Sequence, residues 1–260
     1  MTERDATGSR CYGLDIGGSK IELVAFDAAM RATHRRRIDT PHGSYDAFLD
    51  AVCGLVAEAD AAHAGQADAD GVAGGAADGY PSMFGAILGT GAGGGYCVEG
   101  RLLAGSNGIA GEWGHWSSPA HLLAKHGLPL LDCGCGLRGC LERYVSGSGM
   151  AALHRHLGGA SMDAAAVIAA AQAGDEAARR ALDIHLDLLG HAFASLVMAV
   201  DPHVFVLGGG LSGHAPLYAA LPAAAQAHLF AGMRVPPILP PRFGDAGGAR
   251  GAALLAHQRA

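Results

Sequence analysis

Three cysteines crowd one short Gly-rich loop, Cys133-Gly134-Cys135-Gly136-Leu137-Arg138-Gly139-Cys140-Leu141-Glu142, and a histidine lies upstream in Gly111-Glu112-Trp113-Gly114-His115. A loop of this composition cannot easily bury thiols in a core. It can aim three thiolates at one centre, with His115 as the fourth ligand, and three sulfurs and one nitrogen in a closed tetrahedron is the donor set of a structural zinc site. The competing reading, three unrelated cysteines, is disfavoured by the compact spacing. Four protein ligands leave no open position for a catalytic water, so such a metal is a clamp. It would tie together the segments that carry Glu112 and Glu142, and two carboxylates held near one point could grip a polyhydroxylated ligand.

A second chemistry sits in the glycines. Apolar runs over 12–14 and 21–26 flank Asp15-Ile16-Gly17-Gly18-Ser19-Lys20, a β-hairpin signal whose turn also carries an acid, a hydroxyl and a lysine. Its backbone N–H groups could face a phosphate, and Asp15 could hold Mg²⁺ directly or through water. Alone, a Gly-Gly hairpin is just a hairpin. The pattern recurs, however: a strand over 83–88, then Gly89-Thr90-Gly91-Ala92-Gly93-Gly94-Gly95, then a strand over 96–98. Two such hairpins suggest two related lobes, whose turns would grip a polyphosphate from both sides. A further strand over 203–207 ends in Gly208-Gly209-Gly210 ahead of a helix, a standard seat for a nucleotide.

The elements that must position these residues follow from periodicity and punctuation. A third strand covers 34–38. A helix covers 44–62, with Phe48, Val52, Leu55 and Val56 at helical spacing and Ser44 as N-cap. Residues 65–81 are Ala-, Gly- and Asp-rich and read as a loop or linker. Helices are expected over 146–156, 163–173 and 175–200, the last turning wholly apolar and buried before Asp201-Pro202 stops it. A strand over 235–239 and a helix over 252–257 close the chain. His185 and His191 have no partner at ligand spacing and read as helix-face residues. Cys11, Cys53 and Cys97 stand alone in apolar surroundings and read as small core residues.

Bulk properties narrow the partners. The chain has 260 residues, half of them apolar, and a formal charge of −6. Arg35-Arg36-Arg37 is the one basic tract and reads as solvated, so no nucleic-acid surface is expected. Residues 1–10 are polar and do not form a signal peptide, and no apolar run is long enough to span a bilayer. Six cysteines with three clustered argue for metal in a reducing cytoplasm, not for disulfides.

With these motifs in order, the chain resembles the ROK family of sugar kinases and repressors, and within it the bacterial N-acetyl-D-glucosamine kinases. The resemblance rests on 13–20, 87–95, 111–115, 133–142, 201–212 and 244–251. It implies an α/β, two-lobed actin/hexokinase-like (ribonuclease H-like) fold, with a shortened first lobe over 1–82 and a second lobe over 83–260 that carries a zinc-binding insertion at 111–142. It implies transfer of the ATP γ-phosphoryl group to a sugar 6-hydroxyl, with ATP, Mg²⁺ and Zn²⁺ as cofactors. By position, Gly13, Leu14, Asp15, Ile16, Gly17, Gly18, Ser19 and Lys20 would hold the ATP phosphates, together with Gly89, Thr90, Gly91, Ala92, Gly93, Gly94, Gly95 and Tyr96. Gly208, Gly209 and Gly210 would lie near the adenosine. Glu112, His115 and Glu142 would hydrogen-bond the sugar, and His115, Cys133, Cys135 and Cys140 would bind zinc. The implied partners are small molecules in the cytoplasm, with a homodimer open because members commonly form dimers. A DNA-binding repressor is set aside, since residues 1–10 cannot form a helix-turn-helix.

The resemblance has one large gap. Members carry a long segment between the first helix and the second Gly hairpin, with sugar-contacting residues and an Asn-Asp pair whose Asp is the general base. Here only 65–81 fills that interval. Asp68, in Asp68-Ala69-Asp70, is one candidate remnant of the base; the other alignment puts 71–79 on an earlier family strand and leaves the base missing. The expectation is therefore a sugar kinase by descent with reduced or lost activity, and the alternative is a non-catalytic sugar- or nucleotide-binding protein. The shortened first lobe is expected to be the softer one, with 65–81 mobile.

Overall fold

A computed structural model describes residues 11–27, 30–62, 75–242, 249–251 and 253. Residues 63–74, including Asp68, and most of the glycine-rich 244–251 stretch and the last helix lie outside the described residues. The chain divides into two compact units, Met1–Gly74 with Ala246–Ala260, and Gly75–Asp245.

In the first unit, β1 (Cys11–Ile16), β2 (Lys20–Phe26) and β3 (Ala32–Asp39) form an antiparallel sheet in that order. Alternation sorts β2 between two clusters. Ile21, Leu23 and Ala25 meet Leu55 and Ala59 of α1 (Tyr45–Ala62), while Val24 and Phe26 meet Cys11, Met30, Ala249 and Ala253. Ser44 caps α1 as expected, accepting from the Ala47 N–H at 3.1 Å. The arginine tract lies within β3 instead of at a strand end. Arg35 and Arg37 pair with the buried Glu22 across the sheet, and Arg36 pairs with Glu58. Buried Cys11 fits the core reading; Cys53 is exposed on α1 and Cys97 half-buried, because short apolar neighbours in sequence did not reveal which helix or strand face each one takes.

In the second unit the sheet runs β6 (Arg101–Leu102), β5 (Ala92–Val98), β4 (Ser82–Leu88), β7 (Val204–Gly208), β8 (Ile238–Leu239). β4 and β5 are an antiparallel hairpin; β4–β7 and β7–β8 are parallel. The helices are α2 (Ala120–His126), α3 (Glu142–Val145), α4 (Gly147–His156), α5 (Ala164–Gln172), α6 (Glu176–Val200) and α7 (Ala215–Gln226). Ser146, Asp163 and Asp175 cap α4, α5 and α6 through the N–H groups of Gly149, Ala166 and Ala178. α6 is the core helix: Leu188, Leu189, Phe193 and Leu196 are fully buried, and Phe193 packs on Phe205 of β7 at 4.8 Å between ring centres. By length and composition α6 could cross a membrane, yet more than half of its most apolar window is buried inside the protein. The amphipathic helix expected over 175–200 is thus a core helix, its polar residues spread along the other face. Asp201 ends it at φ 40°, ahead of Pro202.

Candidate functional site

The four proposed ligands converge. One donor atom each from His115, Cys133, Cys135 and Cys140 lies within 4.8 Å of all the others. Cys135 Sγ is 3.6 Å from Cys140 Sγ, and Cys133 Sγ is 3.7 Å from His115 Nδ1. Two thiolates on one tetrahedral zinc, with Zn–S of about 2.3 Å, stand about 3.7 Å apart, so the spacing fits such an ion. Burial pushes the Cys140 thiol up to about 12, with the neighbouring thiols adding to it, while the Leu137 backbone draws Cys135 down. A set like this keeps three thiolates together only around a cation.

Local structure explains the convergence. Trp113 is fully buried, set edge-on against Phe193 at 6.1 Å, and its Nε1 donates to the Gly93 carbonyl at 2.7 Å. The 3₁₀ turn Trp113–His115 then carries His115 out to the loop. The cysteine loop closes on itself through Cys133 N–H to Leu137 O (2.8 Å) and Gly139 N–H to Leu131 O (2.7 Å), with Gly136 and Gly139 at φ 91° and 75°. Ser118 N–H to Gly139 O and Leu141 N–H to Trp116 O join it to the His115 segment. Sequence reasoning missed a further brace, Tyr144. Its buried hydroxyl donates to Pro129 O at 2.8 Å and accepts from Leu131 N–H at 3.1 Å, holding the stem of the loop. The one sequence signal was an aromatic two residues after Glu142.

The two acids flank this knot. Glu112 Oε2 is 3.8 Å from His115 Nε2, the ring nitrogen turned away from the cysteines. Glu142 opens α3, and its Oε2 accepts from the Ala92 N–H at 2.9 Å. The acid expected beside a sugar is therefore also bonded to the second Gly turn. That turn is gripped from several sides: Gly147 N–H donates to Gly89 O (2.8 Å), and Ser148 Oγ donates to Thr90 O (2.7 Å). A Cβ at Gly114 would run into the Ala92 carbonyl, one at Gly111 into Gly94, and one at Gly91 into the Glu142 carboxylate. These glycines permit close approach of the acid- and ligand-bearing segments, a role the sequence reading did not give them.

The third glycine run meets the second. Gly209, at φ 77°, would place a Cβ 2.6 Å from the Leu88 backbone, so residues 208–210 abut the turn at 89–91 at the carboxyl ends of parallel β4 and β7. Beyond it an apolar cavity is lined by Met150, Ile168, Leu182, Leu211, His214 and Leu217. Tyr96 is not brought to the turn: it pairs with Phe84, well down the hairpin, and its hydroxyl donates to Val200 O at 2.9 Å.

In the first unit, Asp15 is the last residue but one of β1, just before the turn, and Gly17 N–H donates to Lys20 O at 2.8 Å. Thr40, unremarked in sequence, steadies that turn by donating to Gly17 O at 2.6 Å from its Oγ1 and to Ser19 O from its N–H. Gly13 stands against the Ala249 backbone, where any Cβ would collide, and so serves helix packing. Leu14 packs against the α1-side core cluster.

Known proteins resemble the chain in sequence and in fold. The chain is 38% identical to the N-acetylgalactosamine kinase AgaK of Shewanella sp. (strain ANA-3), over 95% of this chain and 96% of that one. It is 38% identical to the N-acetyl-D-glucosamine kinase of Salmonella paratyphi C (strain RKS4594), over 94% and 98%. The first alignment is 296 residues long although only 95% of this 260-residue chain takes part, so roughly 50 positions of that relative have no counterpart here. The fold is that of a ROK family glucokinase from Streptomyces griseus in complex with glucose and AMPPNP, with a TM-score of 0.81 at 24% identity over 96% of this chain and all of that one. This is the hexokinase-like α/β architecture expected from the motifs. The family model described as ROK family matches residues 66–259. With three quarters of its length matched and relatives aligned nearly end to end, the chain belongs to the ROK family.

Proposed function

We propose that the chain is an ATP-dependent sugar kinase that acts on the 6-hydroxyl of N-acetyl-D-glucosamine or a related hexose and holds one structural zinc. The observation that carries this reading is the convergence of His115, Cys133, Cys135 and Cys140 between Glu112 and Glu142, with Glu142 bonded to the second Gly turn. Zinc, when bound, supplies rigidity only. The chain's own residues do the rest. Glu112, His115 and Glu142 accept from and donate to sugar hydroxyls. In the second unit the turn at 89–95 presents backbone N–H groups to the triphosphate and the base lies in the cavity beyond Gly208, Gly209 and Gly210; in the first unit the turn at 15–20 offers backbone N–H groups to phosphate and Asp15 its carboxylate to magnesium. Phosphoryl transfer asks mainly for positioning and charge stabilisation, but the acceptor hydroxyl must also lose its proton.

That last need separates full activity from impairment. Roughly 50 positions of the relative have no counterpart here, and the interval between α1 and β4 is short, so turnover is reduced. The same observation supports the second reading, a protein that binds sugar or nucleotide without turnover. Purified chain assayed for ADP release with N-acetyl-D-glucosamine, N-acetylgalactosamine and glucose decides among them. Slow, sugar-dependent release with about one zinc per chain is expected. Binding of sugar and ATP by calorimetry without release supports the second reading. A metal-free protein that binds neither ends both.

A further inference from the structure

α6 meets the metal-binding insertion at three places. Phe193 packs on Trp113, two residues ahead of His115, and His185 reaches the Val145 carbonyl in α3, the helix that Glu142 opens. The third contact is Asp187. Its Oδ2 accepts from Lys125 Nζ and from His126 Nε2, each at 2.7 Å, and its Oδ1 accepts from His228 Nε2 at 2.9 Å. Lys125 and His126 stand in the last turn of α2, and His228 lies just beyond α7. One mostly covered carboxylate thus ties α2 and the end of α7 to α6.

α2 is the α-helix between His115 and Cys133, and six residues separate its end from Cys133. Leu122, Leu123 and Leu128 give this segment a buried side. Apolar burial is non-directional, so it does not fix how far a seven-residue helix slides or turns. Charge-assisted hydrogen bonds do, because each donor must meet its oxygen at a set distance and angle. Basic residues in a last turn also offset the helix dipole, but that role does not call for both to meet one oxygen of a carboxylate on another helix. The chain beyond α2 is braced: Leu128 N–H donates to Leu123 O at 2.9 Å, His156 holds Gly127 O, and Leu131 N–H donates to the Tyr144 hydroxyl. A shift at the end of α2 is therefore passed on towards Cys133. Cys133 Sγ stands 3.7 Å from His115 Nδ1 and 4.0 Å from Glu142 Oε1, so it touches the ligand set and the acid at once. We propose that Asp187 is a positioning residue for the metal centre: through Lys125 and His126 it sets where α2 ends, and hence how Cys133 meets His115 and how Glu142 is held for the sugar. The inference rests on the zinc and sugar reading above and adds to it a residue that is neither metal ligand nor sugar contact.

The test does not depend on turnover. The zinc-loaded full-length chain is mixed with an excess of a chromogenic chelator, and the rate of zinc release is read beside the melting temperature and a calorimetric titration with N-acetyl-D-glucosamine. Asp187→Asn, and the double substitution Lys125→Gln with His126→Ala, are each expected to release zinc about tenfold faster than the native chain, the low end of the loss seen when a residue that orients metal ligands is removed. Sugar binding weakens with them. His228→Ala takes a bond from the same carboxylate, but one that leads to α7, outside the insertion. It is expected to lower the melting temperature while zinc release and sugar binding stay native. Where Asp187→Asn fails to fold, Lys125→Gln alone decides by releasing zinc faster, since Lys125 is largely exposed and its loss leaves the core intact. Native release rates in the variants on the α2 side, or equal acceleration by His228→Ala, overturn the proposal and leave the zinc reading standing. A native chain that takes up no zinc ends that reading and the proposal with it.

Discussion

Glu142 and Gly91 form a pair in which one residue is meaningless without the other. A methyl group at position 91 would occupy the space of the Glu142 carboxylate, whereas one at position 114 would strike the fixed Ala92 carbonyl. The first obstacle is the end of a flexible side chain; the second is backbone. Gly91→Ala is therefore expected to lower thermal stability little, by about 1 kcal/mol, while it displaces Glu142 and weakens sugar binding. Gly114→Ala should cost several times more, about 3 kcal/mol or above, through overpacking beside buried Trp113. Melting curves and sugar titrations on the two variants check this. Equal losses of stability, or intact sugar binding in Gly91→Ala, would refute the division. The convergence of His115, Cys133, Cys135 and Cys140 was legible in the sequence because ligand chemistry restricts residue type and spacing. The steric glycines at 91, 111 and 114 were not, since a glycine that clears a neighbour looks the same in sequence as one that bends a turn.

At the scale of elements, α6 is tied to α3 by one buried polar contact. His185 Nε2 lies 2.8 Å from the Val145 carbonyl, and burial lowers the imidazole to about 4. The carbonyl needs a donor, so the ring is neutral and protonated on Nε2. In the unfolded chain the same side chain titrates near the ordinary 6.5. Above that pH neither state is charged and His185 has no pH effect. As pH falls from about 6.5 towards 4 the unfolded state takes the proton first, so stability drops by roughly 3 kcal/mol over that window and then levels off. His185→Gln, which keeps an N–H for the carbonyl, should flatten that part of a stability–pH curve; an unchanged slope would count against the assignment. Asp187 adds a separate loss at lower pH. Its carboxylate is partly buried, yet Lys125, His126 and His228 hold it below the usual range. Its contribution is present above about pH 4 and fades as pH falls below that. Apolar periodicity with Ser44 as cap made α1 readable, and the same periodicity with Asp201-Pro202 as stop made α6 readable. α2 was not, because seven residues with Pro119 and no capping side chain carry too little periodicity.

Across the whole molecule the two units differ in what holds them. The second has one continuous core around α6; the first has two small clusters on either side of a three-stranded sheet. Less apolar area buried in one place means openings at lower free energy. Hydrogen exchange is expected to release the β1–β3 amides well before those of β4, β7 and α6, and equal protection in both units would contradict it. The general two-lobed plan was legible because the glycine hairpins repeat. The grouping of Ala249 and Ala253 with the first sheet was not, since a contact with Gly13 across most of the chain leaves no local trace. The seating of Trp113 against Phe193 has a consequence for biosynthesis. A nascent chain that has exposed all four proposed ligands still lacks the wall that orients one of them, because that wall is made some fifty residues later. On the proposed zinc reading, closure of all four ligands around one ion thus waits until α6 has been made and packed.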